Sequence, residues 1–424
     1  MLHDIDPEQH GPLGPEMASA VSTCVHCGFC LAACPTYKVL GQEADSPRGR
    51  IVLMKEVLEG TLPLDEALPH LDPCLGCLAC EPACPSGVSY RDLISPFRAN
   101  AEGQRSRGLG DRFKRFLTRM TLPYPTRFRL AARTGRFVKP LAHCLPATLR
   151  VMLGLLPDQL PAKQKWDAVY PPVGPRRGRV ALLTGCAQSV LDPDINTATI
   201  EVLTRNGVEV VVPEKQGCCG ALSWHVGDLG RAQRFAKNNL LAFPDDVDAF
   251  VTNAAGCGSG MHEYPQVLKG TAEESAAKSF ADKVCDVSVY LAKLGDLVPI
   301  PDRGRPLRVA YHDACHLANA QGVRTQPRSL LRSIPGVELC EIADAHLCCG
   351  SAGTYNIDQP EVAETLGREK TDNIVETDAE VVATGNIGCM TQLKTHLEQR
   401  EASIAVRHTM QVLRDAYCDV DTSS

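Results

Sequence analysis

Two short cysteine runs constrain this chain more than anything else in it. Cys24, Cys27, Cys30 and Cys34, closed by Pro35, spell C-x2-C-x2-C-x3-C-P, and Cys74, Cys77, Cys80 and Cys84, closed by Pro85, repeat it. Three thiolates at such spacing can wrap three corners of an iron–sulfur cube, while the fourth, held away by its turn and proline, reaches the other cube. The pattern assigns Cys24, Cys27, Cys30 and Cys84 to one [4Fe–4S] cluster. Cys74, Cys77, Cys80 and Cys34 fall to the second. A pair of structural zinc sites is the alternative, but zinc needs only two Cys-x-x-Cys pairs per metal, not two complete runs each closed by proline. Small residues such as Gly28, Ala32, Gly76 and Ala79 leave room for a cluster and for backbone N–H groups to point at sulfur.

The rest of the composition fits this reading. Twenty cysteines in 424 residues are many, yet most sit in tight groups, which suits metal thiolates better than a disulfide scaffold. From Met1 to Met17 the chain is polar and acidic, with no apolar signal core, so a reducing cytoplasm is the expected setting. The most apolar window, Leu141 to Leu160, is broken by Pro146, Arg150 and Pro157, and no membrane-spanning helix is expected.

From Arg179 onward the sequence repeats itself. Arg179–Leu183 leads to Cys186 as Leu307–Tyr311 leads to Cys315, and each run reads as a buried strand ending at a cysteine. Gly207-Val208-Glu209-Val210 answers to Gly336-Val337-Glu338-Leu339, Cys218-Cys219-Gly220 to Cys348-Cys349-Gly350, and Ala249–Thr252 before Cys257 to Val381–Thr384 before Cys389. The landmarks keep one order at an offset of 129 to 132 residues, which indicates duplication. Helix-length segments such as Asn196–Asn206 and Gly230–Leu240 separate the strands, so each half is expected to be a parallel α/β domain. Its cysteines then lie at strand ends, where open α/β sheets keep their sites.

The expected architecture is therefore multidomain, α+β and α/β. It runs from a flexible N-terminus over 1–18 to a helical, ferredoxin-like two-cluster module over 19–96, with a helix from Arg50 to Glu59. A basic helical segment and linker follow over 97–177, then a first Cys-Cys-Gly α/β domain over 178–302 and a second over 303–418. Cys186, Cys218, Cys219 and Cys257 form one set, and Cys315, Cys348, Cys349 and Cys389 the other. Neighbouring cysteines strain a mutual disulfide, whereas both thiolates can face a metal centre, so a further iron–sulfur or redox centre is one reading and buried free thiols the other. His225, His312, His316 and His346 lie near these sets and are open to reading as proton donors, ligands or polar loop residues. Cys144, Cys285, Cys340 and Cys418 fit neither pattern and read as structural.

Charge is segregated. Residues 98–139 hold twelve Lys or Arg against two acidic residues, a net of +10 in a chain of net −6, which leaves about −16 elsewhere. Phe113, Phe116, Tyr124, Phe128 and Phe137 interleave with the cations. Packed amphipathic helices, a subunit-docking face and a peripheral membrane contact all suit such a segment; nucleic acid does not, because no reader module accompanies it.

With paired ferredoxin motifs followed by duplicated Cys-Cys-Gly modules, the chain resembles the iron–sulfur subunit of bacterial glycolate oxidase, or glycolate dehydrogenase, over nearly its whole length. The stretches that carry the likeness are Cys24-Val25-His26-Cys27-Gly28-Phe29-Cys30, Asp45-Ser46-Pro47-Arg48-Gly49-Arg50-Ile51, Gly185-Cys186-Ala187-Gln188 and His346–Tyr355. The resemblance implies an oxidoreductase complex in which FAD-binding subunits oxidise glycolate to glyoxylate and this chain passes electrons onward, to an acceptor such as membrane quinone at the cytoplasmic face of the inner membrane. The chain shows no flavin or nicotinamide fingerprint, so alone it is not expected to oxidise glycolate. Related iron–sulfur subunits serve lactate utilisation, anaerobic glycerol-3-phosphate dehydrogenase and heterodisulfide reductase. In the last, the Cys-Cys-Gly modules do chemistry and end in Cys-x-x-Cys; here Gly260 and Gln392 stand at the final position.

Overall fold

A computed structural model describes residues 1–144, 147–302 and 304–418. Its N-terminal module is helical, with helices Gly14–Thr23, Pro35–Leu40, Pro47–Leu58, Leu64–Leu71 and Arg91–Ala101. The sequence sets the start of Pro47–Leu58 twice over: Ser46 Oγ accepts the Gly49 N–H at 3.0 Å, and Pro47 occupies the first turn, where no N–H is missed. Met17, Val21, Met54, Leu71, Leu93 and Ile94 fill the core of the module.

The first 18 residues are not a loose lead-in. Ile5 and Met17 are buried in the module and Leu13 against the first α/β half, and the terminal amine donates to the Ser22 and Cys24 carbonyls, both at 2.7 Å. Apolar residues spaced among polar ones in this stretch supply the packing that overall polarity conceals.

Two parallel sheets follow. The first contains β1 (Val169–Tyr170), β2 (Gly178–Leu183), β3 (Val208–Val211), β4 (Ala249–Thr252) and β5 (Val284–Asp286), in the order β1-β3-β2-β4-β5. The second contains β6 (Leu307–Tyr311), β7 (Val337–Glu341), β8 (Val381–Thr384) and β9 (Ala405–His408), in the order β7-β6-β8-β9. Without the antiparallel β1 the two orders are the same, as duplication requires. Val180-Ala181-Leu182-Leu183 is buried throughout because helices cover both faces, which is why it reads as an unbroken apolar run. The end of the 97–177 segment, expected to be linker, enters the first sheet: Val169 and Tyr170 pair with Val211 and Val210 on the edge of β3. Pro171 and Pro172 then end the strand, since proline cannot extend a ladder.

The halves share one core, with Val180, Leu182 and Leu203 packed in the same cluster as Val309, Leu331 and Met410. The loops after β4 and β8 are bonded to each other, Ala255 N–H donating to the Gly385 carbonyl at 2.9 Å. The last helix, Thr409–Cys418, returns to the first half, where Arg414 pairs with Asp194 at 2.5 Å.

The basic segment turns most of its charge inward. On helices Leu109–Thr121 and Pro125–Val138, Lys114 pairs with Asp358 of the second half (2.6 Å) and Arg119 with Asp228 of the first (3.1 Å). Arg107 and Arg115 meet Glu102, Arg105 meets Asp72, and Arg129 donates to the Ser189 carbonyl. Among the residues that face outward, Leu109, Phe113 and Phe116 stand exposed along one helix and Phe137 on the next, beside the exposed Arg112, Arg127 and Arg133. Among the described residues no helix is long and apolar enough to cross a membrane.

Candidate iron–sulfur centres and the cavity between the domains

Both cysteine runs of the module take the same path. The residue two after the first cysteine is left-handed in each run, His26 (φ 57°) and Gly76 (φ 64°), and so is the residue four after it, Gly28 (φ 84°) and Leu78 (φ 58°). Two left-handed steps curl the backbone so that successive thiols turn to one side; at His26 and Leu78 this costs on the order of 1 kcal/mol, which persists only where the surroundings enforce it.

The groups the spacing links are together in space. Cys30 lies within electrostatic reach of Cys24 and Cys84, and burial, with those two adding, pushes its thiol up to about 11. Cys80 sits among Cys77, Cys74 and Cys34. Their exposure differs sharply: Cys27 is open to solvent between the exposed Val25 and Phe29, whereas Cys74, Cys77 and Cys80 are all buried.

The buried set has its own cations. Arg50, 1% exposed, donates to the His70 carbonyl at 2.7 Å and to Thr36 Oγ1 at 2.8 Å, and its guanidinium lies 3.9 Å from Cys34 Sγ. Arg98 donates to the Cys74 carbonyl at 2.7 Å. Burial opposes a thiolate at Cys74, yet Arg50 and Arg98 outweigh it and hold that thiol below the usual range.

In each α/β half the four cysteines follow the carboxyl ends of three strands and form a chain of touching thiols. Cys186 Sγ is 3.5 Å from Cys218 Sγ, and Cys219 lies between Cys218 and Cys257; Cys315 Sγ is 3.9 Å from Cys348 Sγ, and Cys349 lies between Cys348 and Cys389. Gly220 and Gly350 both have φ of 84°, and a Cβ at Gly350 would stand 2.7 Å from the Ala363 carbonyl, so the turn after each cysteine pair accepts only glycine. The thiols are mostly buried, and none of the described cysteines is in a disulfide. Eight sulfur donors in two such chains fit thiophilic metal, iron above all.

The absence of the final Cys-x-x-Cys cysteine in each half has a structural cause. A Cβ on Gly260 would lie 2.3 Å from that of Ala221, so no ligand fits there. Gln392 is held from both ends, by Asn356 at 3.2 Å and the Ala363 carbonyl at 3.2 Å.

Both sets open onto one cavity of about 840 Å³. Its far wall is apolar, built from Phe128, Val138, Leu153 and Leu156 of the basic segment, and Cys74 of the module also reaches it. The two halves meet at stacked imidazoles, with His225 and His316 ring centres 5.2 Å apart. His225 Nε2 is 2.9 Å from Glu263 Oε2, whose carboxylate is kept ionised despite burial by that histidine. Burial pushes His316 down to about 4 and His312 to about 3, so both rings are neutral. The module is locked to this region: Arg98 donates to the His225 carbonyl (3.1 Å), Asn319 to the Cys77 carbonyl (3.0 Å), and Tyr355 OH to the Pro73 carbonyl (2.9 Å).

His346 is exposed to solvent. Cys285 is buried in β5, Cys340 half-buried in β7 and Cys418 exposed, while the side chain of Cys144 lies outside the described residues. Sequence reasoning found the thiol sets but missed their convergence, and with it Glu263, Arg50 and Arg98. Arg50 carried a signal, a lone cation in the middle of an otherwise apolar helical face.

A helical two-cluster module joined to paired, thiol-lined α/β domains defines an iron–sulfur protein. The 4Fe-4S dicluster domain matches residues 20–88, and the cysteine-rich domain matches twice, at 180–262 and 309–394. The chain is 38% identical over 413 residues to the probable glycolate oxidase iron–sulfur subunit of Bacillus subtilis, covering 93% of each, and 36% identical over 414 residues to the glycolate oxidase iron–sulfur subunit of Escherichia coli, covering 95% of each. The chain belongs to the glycolate oxidase iron–sulfur subunit family. A more distant relative, lactate utilization protein A of a Geobacillus strain, is 31% identical and matches 55% of this chain over 98% of its own length.

Proposed function

We propose that this chain is the electron-transfer subunit of a glycolate-oxidising complex, receiving electrons from an FAD-bearing partner that converts glycolate to glyoxylate and delivering them to an acceptor such as quinone. The observation that carries this is the succession of thiols, from the solvent-open Cys27 edge, through the buried Cys74, Cys77 and Cys80, to the cavity that Cys74 and both cysteine-rich domains line. In this reading Cys24, Cys27, Cys30 and Cys84 hold one [4Fe–4S] cluster and Cys74, Cys77, Cys80 and Cys34 the other. When bound, such clusters exchange single electrons.

The chain's own residues do the rest. Val25 and Phe29 offer the flavin partner an apolar rim beside Cys27. Arg50 and Arg98 favour added negative charge at the buried set. Cys77 and Cys315 pack in one buried group with Leu75 and Tyr355, which excludes water between the module and the second domain. His225 and Glu263 form a proton-holding pair at the cavity, suited to an acceptor that takes protons with its electrons. The exposed Leu109, Phe113 and Phe116 suit a peripheral seat at the cytoplasmic face of the membrane.

The test is reconstitution. Anaerobically purified chain should be brown, contain at least eight irons, and oxidise no glycolate with an artificial acceptor until the flavin subunits are added. Turnover by the chain alone would refute the proposal. A catalytic reductase of the heterodisulfide type is the second reading, favoured by the convergence of both thiol sets on one cavity. It requires reduction of a small substrate by the chain itself, abolished by Cys348→Ala or Cys349→Ala.

A further inference from the structure

The thiol chains of the two halves are alike, but what stands beside them is not. At the end of β6, His312 donates its backbone N–H to the Ala383 carbonyl at 2.9 Å and turns its ring into the protein, 1% exposed. Neither Nδ1 nor Nε2 meets a hydrogen-bond partner. A buried polar group left unpaired costs about 1–3 kcal/mol, and an imidazole with both nitrogens unmet is uncommon. One ring nitrogen, Cys349 Sγ and Cys389 Sγ lie within 4.8 Å of one another.

At the matching strand end of the first half, three residues before Cys186, stands Leu183, also buried. Duplication alone therefore does not account for His312. The position that supplies a further cysteine in the longer motif is occupied by Gln392, which is engaged elsewhere.

We propose that His312 is a metal ligand, its imidazole joining Cys349 and Cys389 to hold a thiophilic metal of the second cysteine-rich domain. Bonds of about 2.3 Å to sulfur and about 2.0–2.1 Å to nitrogen place tetrahedral ligands roughly 3.5–3.8 Å apart, so a modest closure of the observed group suffices. Asn386 Nδ2, 3.4 Å from Cys389 Sγ, steadies one sulfur. Lys370, whose buried ammonium donates to the Asp344 carbonyl at 2.6 Å, lies within electrostatic reach of the Cys348 and Cys349 thiols and offsets their charge. The first half has Asn239 in that place, bonded to the Cys218 carbonyl at 3.0 Å. The two centres are thus unlike in ligand and in charge. This inference concerns ligation only and stands or falls apart from the electron-transfer reading.

Two metals satisfy this donor set, iron in a sulfide-bridged centre and zinc, and the experiment separates them. Full-length chain is purified anaerobically with ¹⁴N- or ¹⁵N-histidine, and its iron and zinc are counted. If the metal is iron, pulsed EPR shows a directly bonded nitrogen whose coupling changes with the isotope and disappears in His312→Leu. If it is zinc, one equivalent shows a mixed nitrogen and sulfur shell by X-ray absorption and is lost in His312→Leu. His312→Cys, which replaces nitrogen by sulfur, is expected to retain the metal and lose the nitrogen, so a poorly folded leucine variant does not shield the idea. Unchanged metal content and unchanged spectra in both variants would overturn it, as would a metal-replete wild type showing no histidine ligation.

Discussion

Burial of single charged groups decides much of this molecule's chemistry, and Arg50 is the clearest case. Its guanidinium sits between Cys34, Asp45 and Thr36, out of solvent, where a positive charge is felt at close to full strength. A cation beside a cluster stabilises the reduced form, so Arg50→Gln is expected to lower the midpoint potential of the buried cluster by on the order of 0.1 V, read by EPR-monitored redox titration, with the solvent-open cluster little changed. Asp286 presents the opposite situation. Burial at the end of β5 pushes its carboxyl up to about 6, against the help of the Ser288 N–H at 2.8 Å. The folded state binds this proton more tightly than the unfolded chain, so the stability it contributes is present at low pH and lost as pH rises through about 6. Asp286→Asn keeps the cap and removes the titration. Its stability advantage, read from urea melts, should be near zero at about pH 3, where Asp286 is protonated in both states, and reach about 1–3 kcal/mol at about pH 7.5.

Elements pack here through glycine, and two contacts set the geometry of the site. Gly260 brings the helix Ala255–His262 against Ala221, and Gly260→Ala is expected to destabilise the fold by about 1–3 kcal/mol in urea melts, while Gly260→Cys should not create a usable further ligand. Gly227 has φ of 85° and would place a Cβ 2.5 Å from the Arg98 carbonyl, so Gly227→Ala should pry the module from the first α/β half and speed proteolysis between them. The strands and their order were legible because buried parallel strands read as short apolar runs, and duplication showed each landmark twice. Helices 196–206 and 230–240 were placed to within two residues of Asp194–Arg205 and Leu229–Ala242. The β1 edge strand was not legible, because two residues carry no period, and neither were the packed first 18 residues, whose few apolar anchors are held by long-range contacts.

For the whole molecule, the sequence revealed which cysteines form sets but not that both α/β sets meet at one cavity. That depends on how the two sheets are docked, which is fixed by the shared core and by the bond from Ala255 to Gly385 rather than by any local pattern. The basic segment shows the same limit. Its twelve cations left packed helices, a docking face and a membrane contact open as readings; most of them turn inward, and their partners, Glu102, Asp228 and Asp358 among them, lie in three different parts of the chain. With most of the charges spent internally, binding to vesicles should depend chiefly on Phe113 and Phe116 and be only weakly sensitive to salt; paired Phe→Ser changes are expected to abolish flotation, whereas loss in moderate salt would point to an electrostatic seat instead.

The contrast in exposure between Cys27 and the buried Cys74, Cys77 and Cys80 bears on how the protein wears out. Oxygen, peroxide and chelators reach iron by diffusion, so the outer cluster shields the inner one by being destroyed first. If electrons enter at the Cys27 edge, as proposed, loss of the outer cluster would cut the chain off from its electron source while leaving its interior centres intact, and restoring a single site would then return the molecule to service.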